Sequence, residues 1–125
     1  MDMRGYQQYK QQSINSMTSS ELLILLYDEL VKRATLASIA LEQKDYTLFE
    51  STVQRCIDII RYLDETLDRK YSISHDLSRL YEYFTFQLRR VMIGRNAQVL
   101  NELRPMLSEM RDTFRIAEKN AAQGK

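Results

Sequence analysis

Thr18-Ser19-Ser20-Glu21, followed by Leu22, Leu23, Leu26, Leu30, Ala34, Ala37 and Leu41, is the stretch that decides the fold. The first four residues have the form of a capping box: the Thr18 hydroxyl accepts from a free backbone N–H of the first turn, and Glu21 reaches back to the cap's own N–H. The apolar residues behind it recur mostly three or four apart, which lines them along one side of a helix. Asp28 and Lys32, four apart on another side, form an expected solvent-facing pair. The pattern predicts a first helix running to about Gln43.

Working outward, the same grammar repeats. Asp45 is a potential cap for a second helix whose buried stripe is Phe49, Val53, Cys56, Ile57, Ile60, Leu63 and Leu67. Tyr71 to Ser74 reads as a connection, with Ser74 the expected next cap. The third helix carries Leu77, Leu80, Tyr81, Phe84, Leu88 and Val91 on one face and stops at Gly94, a C-terminal breaker. Asn96 then caps a fourth helix through Val99, Leu100, Leu103, Leu107, Met110, Phe114 and Ala117. Pro105 lies inside it and removes one backbone hydrogen bond. Short connections force successive helices to alternate in direction, so the expected fold is all-α, an antiparallel up-down-up-down four-helix bundle. Residues 18–122 form that bundle in this reading, residues 1–17 a polar N-terminal arm carrying Tyr6 and Tyr9, and residues 123–125 a frayed tail.

Composition agrees and excludes several function classes. Three Gly and one Pro in 125 residues leave little material for tight turns, which favours a few long elements. Eighteen basic against seventeen acidic residues, interleaved along most of the chain, lack the basic excess that a phosphate-neutralising nucleic-acid binder needs. The longest apolar run, Leu22 to Tyr27, is too short to cross a bilayer. No signal peptide is apparent, and the lone Cys56 suits a reducing compartment, so a cytoplasmic location is expected.

The chain offers no constellation for catalysis, metal or cofactor. His75 is the single histidine, far from Cys56, and gives neither a zinc pattern nor a di-iron pair. As a phospho-accepting residue it would belong in mid-helix, whereas it follows Ser74 at an expected helix start. The acid pairs Asp28-Glu29 and Asp64-Glu65 occupy adjacent helical positions that point apart, and read as solvated surface. Cys56 falls within an apolar stripe and reads as core.

What remains unabsorbed is apolar and aromatic material off the stripes: Tyr27, Ile59, Tyr62, Tyr83 and Phe86. A wide core face accounts for any one of them. Together with Tyr6 and Tyr9 on the arm they suggest a groove of the kind that accepts an amphipathic segment of a partner.

Six features in order give the chain a resemblance to the FliS family of flagellar export chaperones. They are Tyr6-Gln7-Gln8-Tyr9-Lys10; Glu21-Leu22 running into Leu26-Tyr27-Asp28; Ala37 to Ala40 before Glu42-Gln43-Lys44-Asp45; Ile59-Ile60 with Leu63 and Leu67-Asp68; Leu80-Tyr81-Glu82-Tyr83-Phe84; and Arg111-Asp112-Thr113-Phe114. The chain departs from the family pattern at Ser19, Glu29, Val91-Met92 and Phe114, the last standing where the family has Trp.

The resemblance implies a cytoplasmic bundle that binds the disordered C-terminal segment of flagellin, keeps it from polymerising early, and supports its type III export. Other flagellar export or regulatory proteins are further expected partners, and the free protein is expected to be a monomer or weak dimer. In that picture Tyr6 and Tyr9 form a displaceable cover. Tyr27, Ile60, Leu67, Tyr81 and Tyr83 supply apolar contacts, with Asp28 and Arg89 as polar guides. The alternatives are a bundle serving another export component, or a structural bundle pairing with itself.

Overall fold

The computed structural model describes residues 19–123, with side chains described for residues 20–120. Among these residues the chain forms α1 (Ser19–Glu42), α2 (Tyr46–Glu65), α3 (Ile73–Gly94) and α4 (Ala97–Gln123), and no strand. Helix α1 packs against α2 and α4, and α3 against the same two, so the four close an antiparallel up-down-up-down bundle. The α3–α4 seam is the loosest of the four. The expected Thr18 cap and the arm with Tyr6 and Tyr9 lie outside the described residues.

Two of the sequence caps do the work assigned to them. The Asp45 carboxylate accepts from the Leu48 backbone N–H at 3.2 Å and opens α2. The Asn96 side-chain oxygen accepts from the Val99 N–H at 3.1 Å and opens α4. Each satisfies a donor that the first turn of a helix cannot pair internally.

Two local expectations are corrected, and a third, the end of α3 at Gly94, holds with a detail added. Ser74 does not cap α3. The helix starts at Ile73 behind Ser72, while Ser74 is buried with its hydroxyl unbonded. The reason lies upstream, where Asp68 organises the connection by accepting from the Lys70 N–H with its carboxylate and from the Tyr71 N–H with its carbonyl. Such Asx-type turns wind the chain tightly, and α3 therefore begins two residues early. Leu67 is not on the α2 stripe either, because that helix ends at Glu65 and Leu67 sits partly buried in the connection. Finally, α3 does stop at Gly94, but the left-handed residue is Arg95, at φ 47°. Its guanidinium lies 3.6 Å from the centroid of the Tyr46 ring, a cation–π contact that rewards a conformation costly for a side-chain-bearing residue.

The core follows the stripes. Leu30, Ala34 and Ala37 of α1, Phe49, Val53, Cys56 and Ile57 of α2, Phe84, Leu88 and Val91 of α3, and Leu100, Leu103 and Leu107 of α4 are all essentially sealed from solvent. Burial pushes the Cys56 thiol up to about 12, so it is a packed, unreactive thiol. Tyr27 and Ile59, off the stripes in sequence, are also buried. Tyr62, Tyr83 and Phe86 are exposed.

Candidate functional site: an apolar groove at one end of the bundle

The start of α1, the end of α2, the start of α3 and the last third of α4 meet at the same end of the bundle. There they leave an open cavity of about 360 Å³. Helix α1 lines it with Leu22, Leu23 and Leu26, α2 and its connection with Tyr62, Leu63, Thr66, Leu67 and Asp68, α3 with Leu77 and Tyr81, and α4 with Phe114. Leu22, Leu23, Leu26, Leu67, Leu77 and Phe114 are only partly buried, so apolar surface stays open to a partner. Ser20 also lines it, which puts the root of the N-terminal segment at the rim.

Behind the groove stands an aromatic back wall. The Tyr27 ring stacks on Phe114, centroids 4.9 Å apart and planes 18° off parallel. The Tyr27 hydroxyl hydrogen-bonds the Tyr81 hydroxyl. Burial raises the ionisation of both phenols above the ordinary range, so they remain neutral and the wall carries no charge.

The expected contact residues divide among different places. Leu67 and Tyr81 line the apolar groove together. Ile60, Tyr81 and Arg89 line a second, smaller cavity of about 300 Å³ between α2 and α3, with Arg61 and Phe86. Tyr27 is corrected from a surface contact to a core residue, because stacking on Phe114 and bonding to Tyr81 draw it inside. Ile60 and Tyr81 are likewise sealed at 1% and 2% exposure and form cavity floors rather than projecting contacts. Tyr83 stands exposed on α3 with its ring against Phe84.

Asp28 does not pair with Lys32. Arg115 of α4 holds both its oxygens, at 2.6 and 2.7 Å, and Arg111 lies 3.7 Å away. Glu29 pairs instead with Arg33 within α1, so the two adjacent acids point apart as adjacency requires. Asp64 accepts the Ser78 hydroxyl at 2.7 Å and is tied to Arg69 at 3.4 Å. His75 is exposed in the first turn of α3. Among the described residues no cluster of His, Cys, Asp and Glu is arranged for a metal, and no helix is long and apolar enough to cross a membrane.

The groove is apolar along most of its lining, with the Asp68 carboxylate as its charged group, an arrangement that can take apolar side chains of another polypeptide. The family model "Flagellar protein FliS" matches residues 2–121. The chain belongs to the FliS family. It is 29% identical over 112 residues to the Flagellar secretion chaperone FliS of Bacillus subtilis (strain 168), a match spanning 90% of this chain and 84% of the relative. Its fold is similar to a solved structure titled "Crystal structure of flagellar chaperone from bacteria", with TM-score 0.76 and 18% identity, over 96% of this chain and 99% of the other. The FliS family is one of flagellar secretion chaperones, and the all-α bundle seen here is its fold.

Leu22, Leu23, Leu26, Leu77 and Phe114 were assigned to the core by their spacing, and the structure shows them half-open at the groove instead. Helical periodicity marks the apolar face but does not say where that face runs past its neighbours' ends. One sequence signal did bear on this. The Leu22–Tyr27 run is apolar almost all round the helix, more than one buried stripe uses.

Proposed function

We propose that this FliS-family protein is a cytoplasmic chaperone for flagellin. Its end groove takes apolar side chains from the disordered C-terminal segment of that client, so the segment cannot polymerise before type III export. The observation that carries the reading is the open apolar groove lined by Leu22, Leu23, Leu26, Leu67, Leu77 and Phe114 on an aromatic back wall. Ordering a disordered segment on binding costs roughly 2–5 kcal/mol. Three leucine-sized client side chains, each burial worth roughly 1.5–3 kcal/mol, are enough to offset that cost.

Tyr6 and Tyr9 act in this reading as a cover that the client displaces. Ser20 at the groove rim supports it, since the arm joins the bundle next to the surface it would occupy. Leu67 and Tyr81 in the groove, and Ile60, Arg89 and Tyr83 on the α2–α3 side, mark where a client wrapping more than one face would run.

Calorimetric titration with the C-terminal segment of the cognate flagellin tests the proposal. One-to-one binding with a negative heat-capacity change is expected. Leu23→Arg and Leu67→Arg, at partly exposed positions, abolish it while helical circular dichroism is retained. No heat and no complex on a sizing column would remove flagellin as the client.

A further inference from the structure

About three turns along α4 from Arg115 of the Asp28–Arg115 pair, the α1–α4 seam holds a second arginine with no counter-ion. Arg104 is packed between the helices, and none of the ion pairs among the described residues includes it. Its terminal nitrogens reach only hydroxyls, Ser38 Oγ and Thr35 Oγ1, each at 3.4 Å. Its Nε is buried and bonded to nothing. A guanidinium has five N–H donors in a rigid fork, so three of them are unused here.

The hydroxyls beside it are already committed as donors. Thr35 donates to the Val31 carbonyl at 3.1 Å, and Ser38 to the Asn101 side-chain oxygen at 3.4 Å. They orient the fork and neutralise nothing. The seam opens into a cavity of about 340 Å³ lined by Val31, Thr35, Asn101, Arg104, Pro105 and Ser108. Pro105 has no N–H, so the Asn101 carbonyl lacks its helical donor at the same place.

Along one seam, then, α1 supplies a carboxylate to α4 at Asp28 but only hydroxyls at Thr35 and Ser38. The buried Nε is left without an acceptor, which is costly, and an open cavity at that point lets the missing acceptor come from outside. We infer that Arg104 is a recognition site for a carboxylate side chain, an Asp or Glu carried by the bound client segment. The client's backbone N–H groups meet the orphaned Asn101 carbonyl. This rests on the client reading above and extends it from the apolar groove to a charged anchor on the α1–α4 seam.

The test titrates the full-length protein and three variants with the cognate flagellin C-terminal segment at low and high salt. Arg104→Gln weakens binding roughly ten- to hundredfold, the value of a hydrogen bond to a charged group. Arg104→Lys keeps the charge, loses the fork and falls between. Thr35→Asp supplies the carboxylate from within; it raises the melting temperature of the free protein and weakens client binding, because the site is already filled. Part of the salt dependence of binding disappears in Arg104→Gln. If the wild type binds and both Arg104→Gln and Thr35→Asp bind equally well, the carboxylate site is overturned and the groove alone stands. If inorganic phosphate competes with the client at millimolar concentration in the wild type but not in Arg104→Gln, the site reads a free oxyanion, and the acidic side chain is overturned as its source. If the wild type does not bind at all, the client reading fails and this site falls with it.

Discussion

The hydroxyls of Tyr27 and Tyr81 hydrogen-bond across the diagonal of the bundle, joining α1 to α3, two helices that are not packed neighbours. Both rings are sealed from solvent, so neither hydroxyl has water as an alternative partner. Replacing either tyrosine alone by Phe strands the other hydroxyl at a cost of about 1–3 kcal/mol, whereas replacing both leaves nothing unsatisfied. A double-mutant cycle by urea denaturation is expected to show the double variant more stable than the sum of the singles. Strict additivity would mean the bond contributes nothing.

Alkaline pH is expected to unfold this protein early. The Cys56 thiol rises from an ordinary 9.0 to about 12, through burial above all. The Tyr27 and Tyr81 phenols also ionise above their ordinary 10.0, again through burial first. In each case the neutral form is favoured in the fold, so the stabilisation is complete below the unfolded value and is lost as pH rises towards the folded one. Stability is therefore expected to fall progressively from about pH 9 upward, and Cys56→Ala to flatten the first part of that decline. A melting temperature unchanged between pH 8 and 11 would contradict the burial of all three groups.

Gly94→Ala is expected to stabilise the protein by about 0.5–1 kcal/mol. Gly94 lies inside α3 without a positive φ, and a Cβ there meets nothing within 4 Å. Alanine costs less backbone entropy in a helix than glycine. A loss of stability on thermal denaturation would show that Gly94, and not Arg95, turns the chain.

The Asp28–Arg115 pair has good geometry but sits half in water, with Arg115 51% exposed. Asp28→Asn is accordingly expected to cost less than about 1 kcal/mol, and less again in high salt. A larger, salt-independent loss would assign Asp28 a structural role beyond this pair.

Replacing Tyr6 and Tyr9 together by Ala is expected to speed association of the flagellin segment, as read by stopped-flow fluorescence. Unchanged kinetics would argue against their role as a cover.

Most of the bundle was legible in the sequence because its signals are short-range. Helical periodicity and the Asp45 and Asn96 caps depend on residues three or four apart, so they place helices, order and core stripes without knowledge of the fold. The local misreading, Ser74 as a cap, arose where a side chain organises the preceding connection: Asp68 winds it.

What only the tertiary structure decided involves partners far apart in the chain. Asp28 meets Arg115 at a separation of 87 residues, and Tyr27 meets Tyr81 at 54. Arg104 faces Thr35 and Ser38, not an acid. Each residue turns a helix by about 100°, so these pairings hang on the rotation and axial register of each helix against its neighbours. A period of 3.6 names the apolar face but leaves those two quantities open. The sequence by itself therefore determined a four-helix bundle of the FliS kind. Packing of the helices against one another decided which leucines open into the groove and which arginine is left unpaired.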